Sequence, residues 1–226
     1  MSIVLIEGFD HHDITTLLTK GWTVSPTAMG TGRLSGQAAQ SNNAASTFQS
    51  IKLLPSTYAE VVVGFAFKRN TSSGLTDNAG IAFQILTSAS AVVADLRYDS
   101  AYKWTLRNSS GTIVCQGTTA MTKNAWYYVE ARVKVNGASG QGELYVNGVS
   151  EVATTTGNFG STNIGAVAMY RVANLGTNQQ FFWDDMYVNT GATFLGDVRV
   201  ETLYPNVDSS TYAQWSFSTG STGYTL

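Results

Sequence analysis

The sequence predicts an all-β fold, a two-sheet antiparallel β-sandwich with a C-terminal extension. Three observations predict it. Apolar and polar residues alternate with period two in segment after segment from Ile3 to Val188, the pattern of strands with one buried face and one wet face. Turn-forming clusters separate these segments at Asn70 to Gly74, Asp77-Asn78, Asn108 to Gly111 and Asn136 to Gly142. Candidate strands recur roughly every 10 to 15 residues, near the spacing of sandwiches and barrels.

The elements follow in order. Ile3-Val4-Leu5-Ile6 reads as an opening strand that Glu7 interrupts. Asp13 to Lys20 is a short helical turn with Asp13 as N-cap and Gly21 after its end. Val61, Val63, Phe65 and Phe67 then alternate with Glu60, Val62, Gly64, Ala66 and Lys68, and Ile81, Phe83 and Ile85 with Gly80, Ala82 and Gln84. Val92–Arg97, Tyr102–Arg107 and Thr112–Gln116 form a meander. Trp126 to Asn136 is the clearest strand: Tyr127, Val129, Ala131, Val133 and Val135 share one face, and Trp126, Tyr128, Glu130, Arg132 and Lys134 the other. Leu144 and Val146 continue the pattern, and Asn147-Gly148 supplies the positive φ of a tight hairpin. Phe181 to Val188 closes the sandwich, assigned to residues 1–188. Residues 189–226 hold one further strand, Val198 to Leu203, and too few apolar residues for a core of their own. That tail is expected to pack on the sandwich or on a neighbouring subunit.

Composition narrows the function. A chain of 226 residues suits one large domain and buries a core without disulfides or metals. Charged residues are only 12% of the chain, against roughly 25% on average, which suits packing against neighbours. With a net charge of -2 and no Lys/Arg run, nucleic acid is not an expected partner. No segment approaches the ~20 apolar residues of a membrane span, and the N-terminus lacks the pattern of a signal peptide. The lone Cys115 excludes a disulfide framework. The expected origin is a reducing cytoplasm.

Catalytic motifs are weak. Asp10-His11-His12-Asp13 holds both histidines, but neighbours in an extended chain diverge and a catalytic zinc needs ligands from spaced positions. A polar corner closed by Asp side chains is expected there instead. In a regular strand Asp184 and Asp185 point to opposite faces, Asp184 with Phe182, Met186 and Val188, and Asp185 with Phe181, Trp183 and Tyr187. A glycosidase pair must converge on one face, so a structural role is expected for them. A calcium site using an Asp and loop carbonyls stays open as an alternative; otherwise no cofactor is expected. Glu60, Glu130, Glu143 and Asp95 occur singly, and no Gly-x-Ser-x-Gly elbow is present. Cys115 is expected to be a buried apolar residue. Aromatic residues are the remaining chemistry. Tyr98, Tyr102, Trp104 and Trp183 are the candidate contacts for a glycan or partner, set against simple sheet packing.

Trp126-Tyr127-Tyr128-Val129-Glu130, Val133-Lys134-Val135 and Gly142-Glu143-Leu144-Tyr145-Val146-Asn147-Gly148 resemble the central hairpin of concanavalin A-like, laminin G-like jelly rolls. Phe182-Trp183-Asp184-Asp185-Met186-Tyr187-Val188 resembles their closing strand. More narrowly, Glu7-Gly8-Phe9-Asp10-His11, Gly30-Thr31-Gly32-Arg33, and Asp184-Asp185 followed by Phe194-Leu195-Gly196-Asp197-Val198-Arg199-Val200 are similar to a group of tailed-phage virion proteins. That resemblance implies a non-enzymatic virion structural protein in the tail, fibre or baseplate region or decorating the capsid. Its implied partners are other virion proteins in a homo-oligomer, a trimer among the symmetries expected. Phe194, Leu195, Val198, Val200 and Leu203 are then the candidate assembly residues. The alternative reading is a glycan-binding module for host-surface recognition. A glycan hydrolase, needing two carboxylates on one face, ranks third.

Overall fold

The computed structural model describes residues 2–10, 12–24, 26–41, 47–71, 80–171 and 179–200. Fourteen strands and one turn of helix lie within them. The first half holds β1 (Ser2–Glu7), α1 (Thr16–Thr19), β2 (Ala28–Thr31), β3 (Gln37–Ser41), β4 (Phe48–Tyr58), β5 (Glu60–Thr71), β6 (Gly80–Thr87) and β7 (Val92–Tyr98). The second holds β8 (Lys103–Asn108), β9 (Ile113–Ala120), β10 (Trp126–Lys134), β11 (Gly140–Val146), β12 (Val149–Gly157), β13 (Ile164–Arg171) and β14 (Gln179–Thr190).

These strands make the sandwich that alternation implies. One sheet has eight strands in the order β12-β11-β10-β5-β14-β3-β2, with β1 also paired to β14. The other has six, β4-β13-β6-β7-β8-β9. The pairings are antiparallel. The core lies between the sheets. Phe65 stacks on Phe83 at 4.6 Å between centroids, and Phe67 meets Trp104 and Phe181 edge-on at 5.3 and 5.1 Å. Val129, Ala131 and Val133 of β10 line the same core, so the inner face read from alternation is the inner face observed. Asn147 and Gly148, with φ of 51° and 75°, close the β11–β12 hairpin.

Local chemistry explains the N-terminal corner. Asp13 Oδ1 accepts from the Thr15 hydroxyl at 2.6 Å and from the Thr15 and Thr16 backbone N–H groups at 2.8 Å each; these bonds, the hydroxyl first, start α1 and hold the Asp13 carboxyl low, at about 2. The helix is shorter than the Asp13 to Lys20 span because the next turn folds Trp22 back onto Leu17. His12 is buried and bonded to Glu7 at 2.9 Å. His11 lies outside the described residues. Among the described residues no group of three His, Cys, Asp or Glu side chains is placed to hold a metal ion. Cys115 is buried in the core, and burial pushes its thiol up to about 12.

The outer face of the eight-stranded sheet is crossed by the segment after β14. Phe194, Leu195 and Val198 pack on Tyr128 and Tyr187, and Phe194 stacks on Tyr145 at 4.1 Å. Glu130 accepts from the Gly196 N–H at 2.9 Å and from the Tyr187 hydroxyl. These candidate assembly residues therefore find partners within their own chain. The expected strand Val198 to Leu203 is corrected over its described part: residues 198–200 are not in a ladder; the Val198 N–H turns back to the Gly196 carbonyl at 2.9 Å and the Val200 N–H donates to the Asp185 carboxylate at 2.8 Å instead. Leu203 lies outside the described residues.

One cross-strand contact makes a direct test of this face. Gly64 of β5 pairs with Tyr187 of β14, and a Cβ at Gly64 would overlap the Tyr187 ring. That ring cannot swing away, since it is buried and its hydroxyl is held by Glu130. Gly64→Ala is expected to cost roughly 1–3 kcal/mol by overpacking, read as a lower denaturant midpoint at unchanged slope. A midpoint equal to that of the parent would show that the Tyr187 ring is not seated there.

Candidate functional site

The outer face of the eight-stranded sheet carries a row of residues in register. Trp126 of β10 pairs with Lys68 of β5, Lys68 with Phe182 of β14, Phe182 with Gln40 of β3, and Gln40 with Ala28 of β2. Five strands set side by side span roughly 20 Å at the usual strand spacing. One step along the same face, Asn70 pairs with Gln180, and their amides hydrogen-bond at 3.1 Å. Above this row opens a groove of about 660 Å³ lined by Met29, Gly30, Thr31, Gly36, Gln37, Gln40, Lys68, Asn70, Gln180 and Phe182. Gly30 keeps it open, because a Cβ there would strike the Phe182 ring and the Gln40 amide.

Lys68 sits at the centre. Its Nζ lies 4.3 Å from the Phe182 ring centroid and 4.7 Å from that of Trp126, and the two rings meet edge-on at 6.3 Å. The cation–π contacts hold the ammonium over the rings while its stem covers Phe182, which is buried beneath it. Burial lowers the Lys68 pKa, and the charge of Asp184 partly offsets that.

Asp184 and Asp185 adjoin the groove, and here the expectation of divergent carboxylates is corrected. The β14–β5 register slips between Asp184 and Tyr187, and Asp185 has φ 47°. This β-bulge inserts one extra residue. Met186 and Val188 return to the core beside Phe181 and Trp183, and both carboxylates come to the outer side. Arg33 reads both: its backbone N–H donates to Asp184 Oδ2 at 2.8 Å and its Nη1 to Asp185 Oδ2 at 3.4 Å. The Arg33 guanidinium also binds the Asp197 carboxylate and the Val198 carbonyl. The Val200 N–H donates to Asp185 Oδ1 at 2.8 Å. Residues 198–200 thus lie over the pair, and the pocket between Asp10, Ser35, the pair and Val200 leaves no room for a water molecule. Burial pushes the Asp184 carboxyl up to about 7 against the Arg33 N–H that favours its charge. Burial also raises Asp185, opposed by the Val200 N–H and Arg33.

The aromatic candidates are mostly elsewhere. Tyr98, Trp104 and Trp183 are fully buried between the sheets, so their assignment as glycan contacts is corrected; each faces the core, where its ring packs on Phe67. Tyr102 is half-buried at the β7–β8 turn under the Arg69 guanidinium, 4.3 Å from its ring, and does not line the groove. The groove residues that the sequence reading passed over are Lys68, Asn70, Gln180 and Gln40. The available signal was the outward parity of Lys68 and Trp126, both already placed on the polar side of their strands. The single carboxylates are engaged: Glu60 and Glu143 flank Arg132, Asp95 holds Arg97, and Glu130 holds Tyr187.

No family model and no curated protein sequence matches the chain. Solved structures do. The cellulose induced protein Cip1 aligns with a TM-score of 0.64 at 11% identity over 85% of this chain and 100% of its own. An alginate lyase Aly36B mutant in complex with alginate tetrasaccharide aligns at 0.56, with 12% identity over 88% and 98%. The catalytic domain of a glycoside hydrolase family 131 protein from Coprinopsis cinerea aligns at 0.57, with 11% identity over 87% and 99%. The shared property is the fold. It is the concanavalin A-like jelly roll, as the hairpin resemblance implies. The expectation that the chain is not an enzyme is corrected, because two of these three jelly rolls are enzymes by description. None of the three is described as a virion protein, and the narrower resemblance gains no support from them.

Proposed function

We propose that this chain recognises glycans, through the groove over β2, β3, β14 and β5. The observation that carries this reading is the row Trp126–Lys68–Phe182–Gln40 with the Asn70–Gln180 amide pair beside it. Amides and an ammonium match the hydroxyl-rich edge of a sugar, and the half-buried indole of Trp126 positions that ammonium from beside the groove. An open groove takes a chain of sugars better than a compact metabolite, which a protein encloses more fully. An alginate lyase of the same fold is described with a tetrasaccharide bound, which supports the reading without supplying it. A virion setting rests on the residue resemblance alone.

A second reading, chemistry on the bound glycan, is favoured by one observation. Two of the three matched jelly rolls are an alginate lyase and a glycoside hydrolase catalytic domain by description, so the fold accommodates such chemistry.

A glycan array followed by calorimetry tests the first reading. Trp126→Ala and Gln180→Ala are each expected to weaken binding tenfold or more, about 1.4 kcal/mol, in folded protein. Failure of every arrayed glycan to bind would overturn it. Mass spectrometry of bound oligosaccharides after incubation tests the second reading, and intact ligand with wild-type protein rules it out.

A further inference from the structure

The charge of the groove narrows its ligand. Among its ten lining residues Lys68 is the one that carries a formal charge, and none is acidic. Among the described residues no carboxylate lies within salt-bridge distance of Lys68. The nearest acid to act on it, Asp184, is buried and accepts from the backbone N–H groups of Arg33 and Asp185 at 2.8 and 2.9 Å. It is directed to the chain and not to the ammonium. Lys68 is instead positioned by the two rings beneath and beside it, and Asp184 acts on its charge only from a distance, without an ion-pair contact. A partly desolvated cation of that kind gains most from a ligand that brings a negative charge to it. The neutral amides of Asn70, Gln180 and Gln40 line the same groove.

We infer that the groove selects glycans bearing an anionic group, a carboxylate or a sulfate, and that Lys68 is the residue that takes that group. This rests on the glycan reading of the groove and adds the substrate class. Lysine presents a point charge and not a planar fork, so the contact is monodentate, and the amides fix the orientation of the ring that carries the charge.

The test uses the whole chain and three probes. They are an oligogalacturonate tetrasaccharide, the same tetrasaccharide with its carboxylates reduced to alcohols, and a sulfated galactan tetrasaccharide. At low salt an acidic probe is expected to bind at least tenfold tighter than the reduced one, and the advantage is expected to shrink as salt is added. Preference between the two acidic probes separates carboxylate from sulfate. Lys68→Met keeps the apolar stem on Phe182 and Trp126 while removing the charge, and is expected to abolish the preference. Lys68→Arg is expected to keep it. Equal binding of charged and reduced probes, or a preference retained in Lys68→Met, overturns this inference and leaves the glycan reading standing. Absence of binding to all three probes and to every glycan of the array overturns both.

Discussion

Trp183→Ala is expected to lower the unfolding free energy by about 3–5 kcal/mol, the range for removing a large buried aromatic. Trp183 packs on Phe48, Phe67 and Phe181 at 5.8 to 6.0 Å between centroids. Its indole N–H donates to the Ala82 carbonyl across the sandwich at 2.9 Å, so the truncation leaves a cavity and an orphaned buried carbonyl. Thermal and denaturant unfolding measure the loss. Trp126→Ala is the matched control, since that indole lies half-buried on the outer face. It is expected to keep most of the stability while weakening glycan binding. If Trp183→Ala instead kept the stability and lost binding, the core assignment of Trp183 would fall.

That contrast marks how much of the molecule was readable from its residues. Period two is a statement about two faces, and it placed Trp126, Tyr128, Glu130 and Arg132 of β10 together on the outer one. It does not by itself say which face of a strand meets the second sheet. In β7 and β8 Tyr98 and Trp104 turned inward to meet Phe67, and burial removed them from any ligand. The groove wall was harder still. β2 and β3 are Ala-Met-Gly-Thr and Gln-Ala-Ala-Gln-Ser, residues of low strand propensity, held in the sheet by pairing with β14. Asp184 and Asp185 were misplaced for a different reason. Alternation assumes an unbroken ladder, and a bulge is a local φ/ψ event with no composition signal when it falls on aspartate and not on glycine.

Arg33→Met is expected to cost about 3–5 kcal/mol at pH 8, the range for removing one partner of a buried ion pair, and distinctly less at pH 5. Arg33 is the cation that faces Asp185, with side chains 14% and 5% exposed, so its loss strands a carboxylate away from water. The sign of the pH effect follows from the raised carboxyls. Asp184 titrates near 7 when folded and near 3.8 as an ordinary aspartate. Between these values the folded chain holds a proton that the unfolded chain has released. Stability therefore falls as pH rises through that window, by up to roughly 1.4 kcal/mol per unit, and recovers as pH drops toward 4. That window is shared by parent and variant, because Arg33 meets Asp184 through its backbone N–H, which the substitution keeps; the difference between them comes from Asp185, also raised, whose carboxyl rises further once the guanidinium that lowers it is gone. Denaturant midpoints at pH 5 and pH 8 read the difference. Limited proteolysis is expected to reach residues 194–200 faster in the variant, since Arg33 also binds Asp197 and the Val198 carbonyl. An equal loss at both pH values would show that the carboxylates are not the groups Arg33 neutralises.

The bulge in β14 has a consequence for what is dispensable. Opposite it, Asp184 pairs with Ala66 and Tyr187 with Gly64, so two residues of β14 face one residue of β5. Counting Asp185 out leaves an unbroken alternation: Trp183 in, Asp184 out, Met186 in, Tyr187 out, Val188 in. The sandwich would close on the shorter count with every other side chain facing as it does now. Asp185 is thus a supernumerary residue as far as the fold is concerned. What would be lost with it is the acceptor for the Val200 N–H, one of the two anions that Arg33 binds and the carbonyl that receives the Tyr128 hydroxyl. Those bonds hold the last described segment on the outer face. The insertion thus belongs to the surface of this protein and not to its frame, and that surface is the part of the chain free to change without rebuilding the barrel of side chains inside.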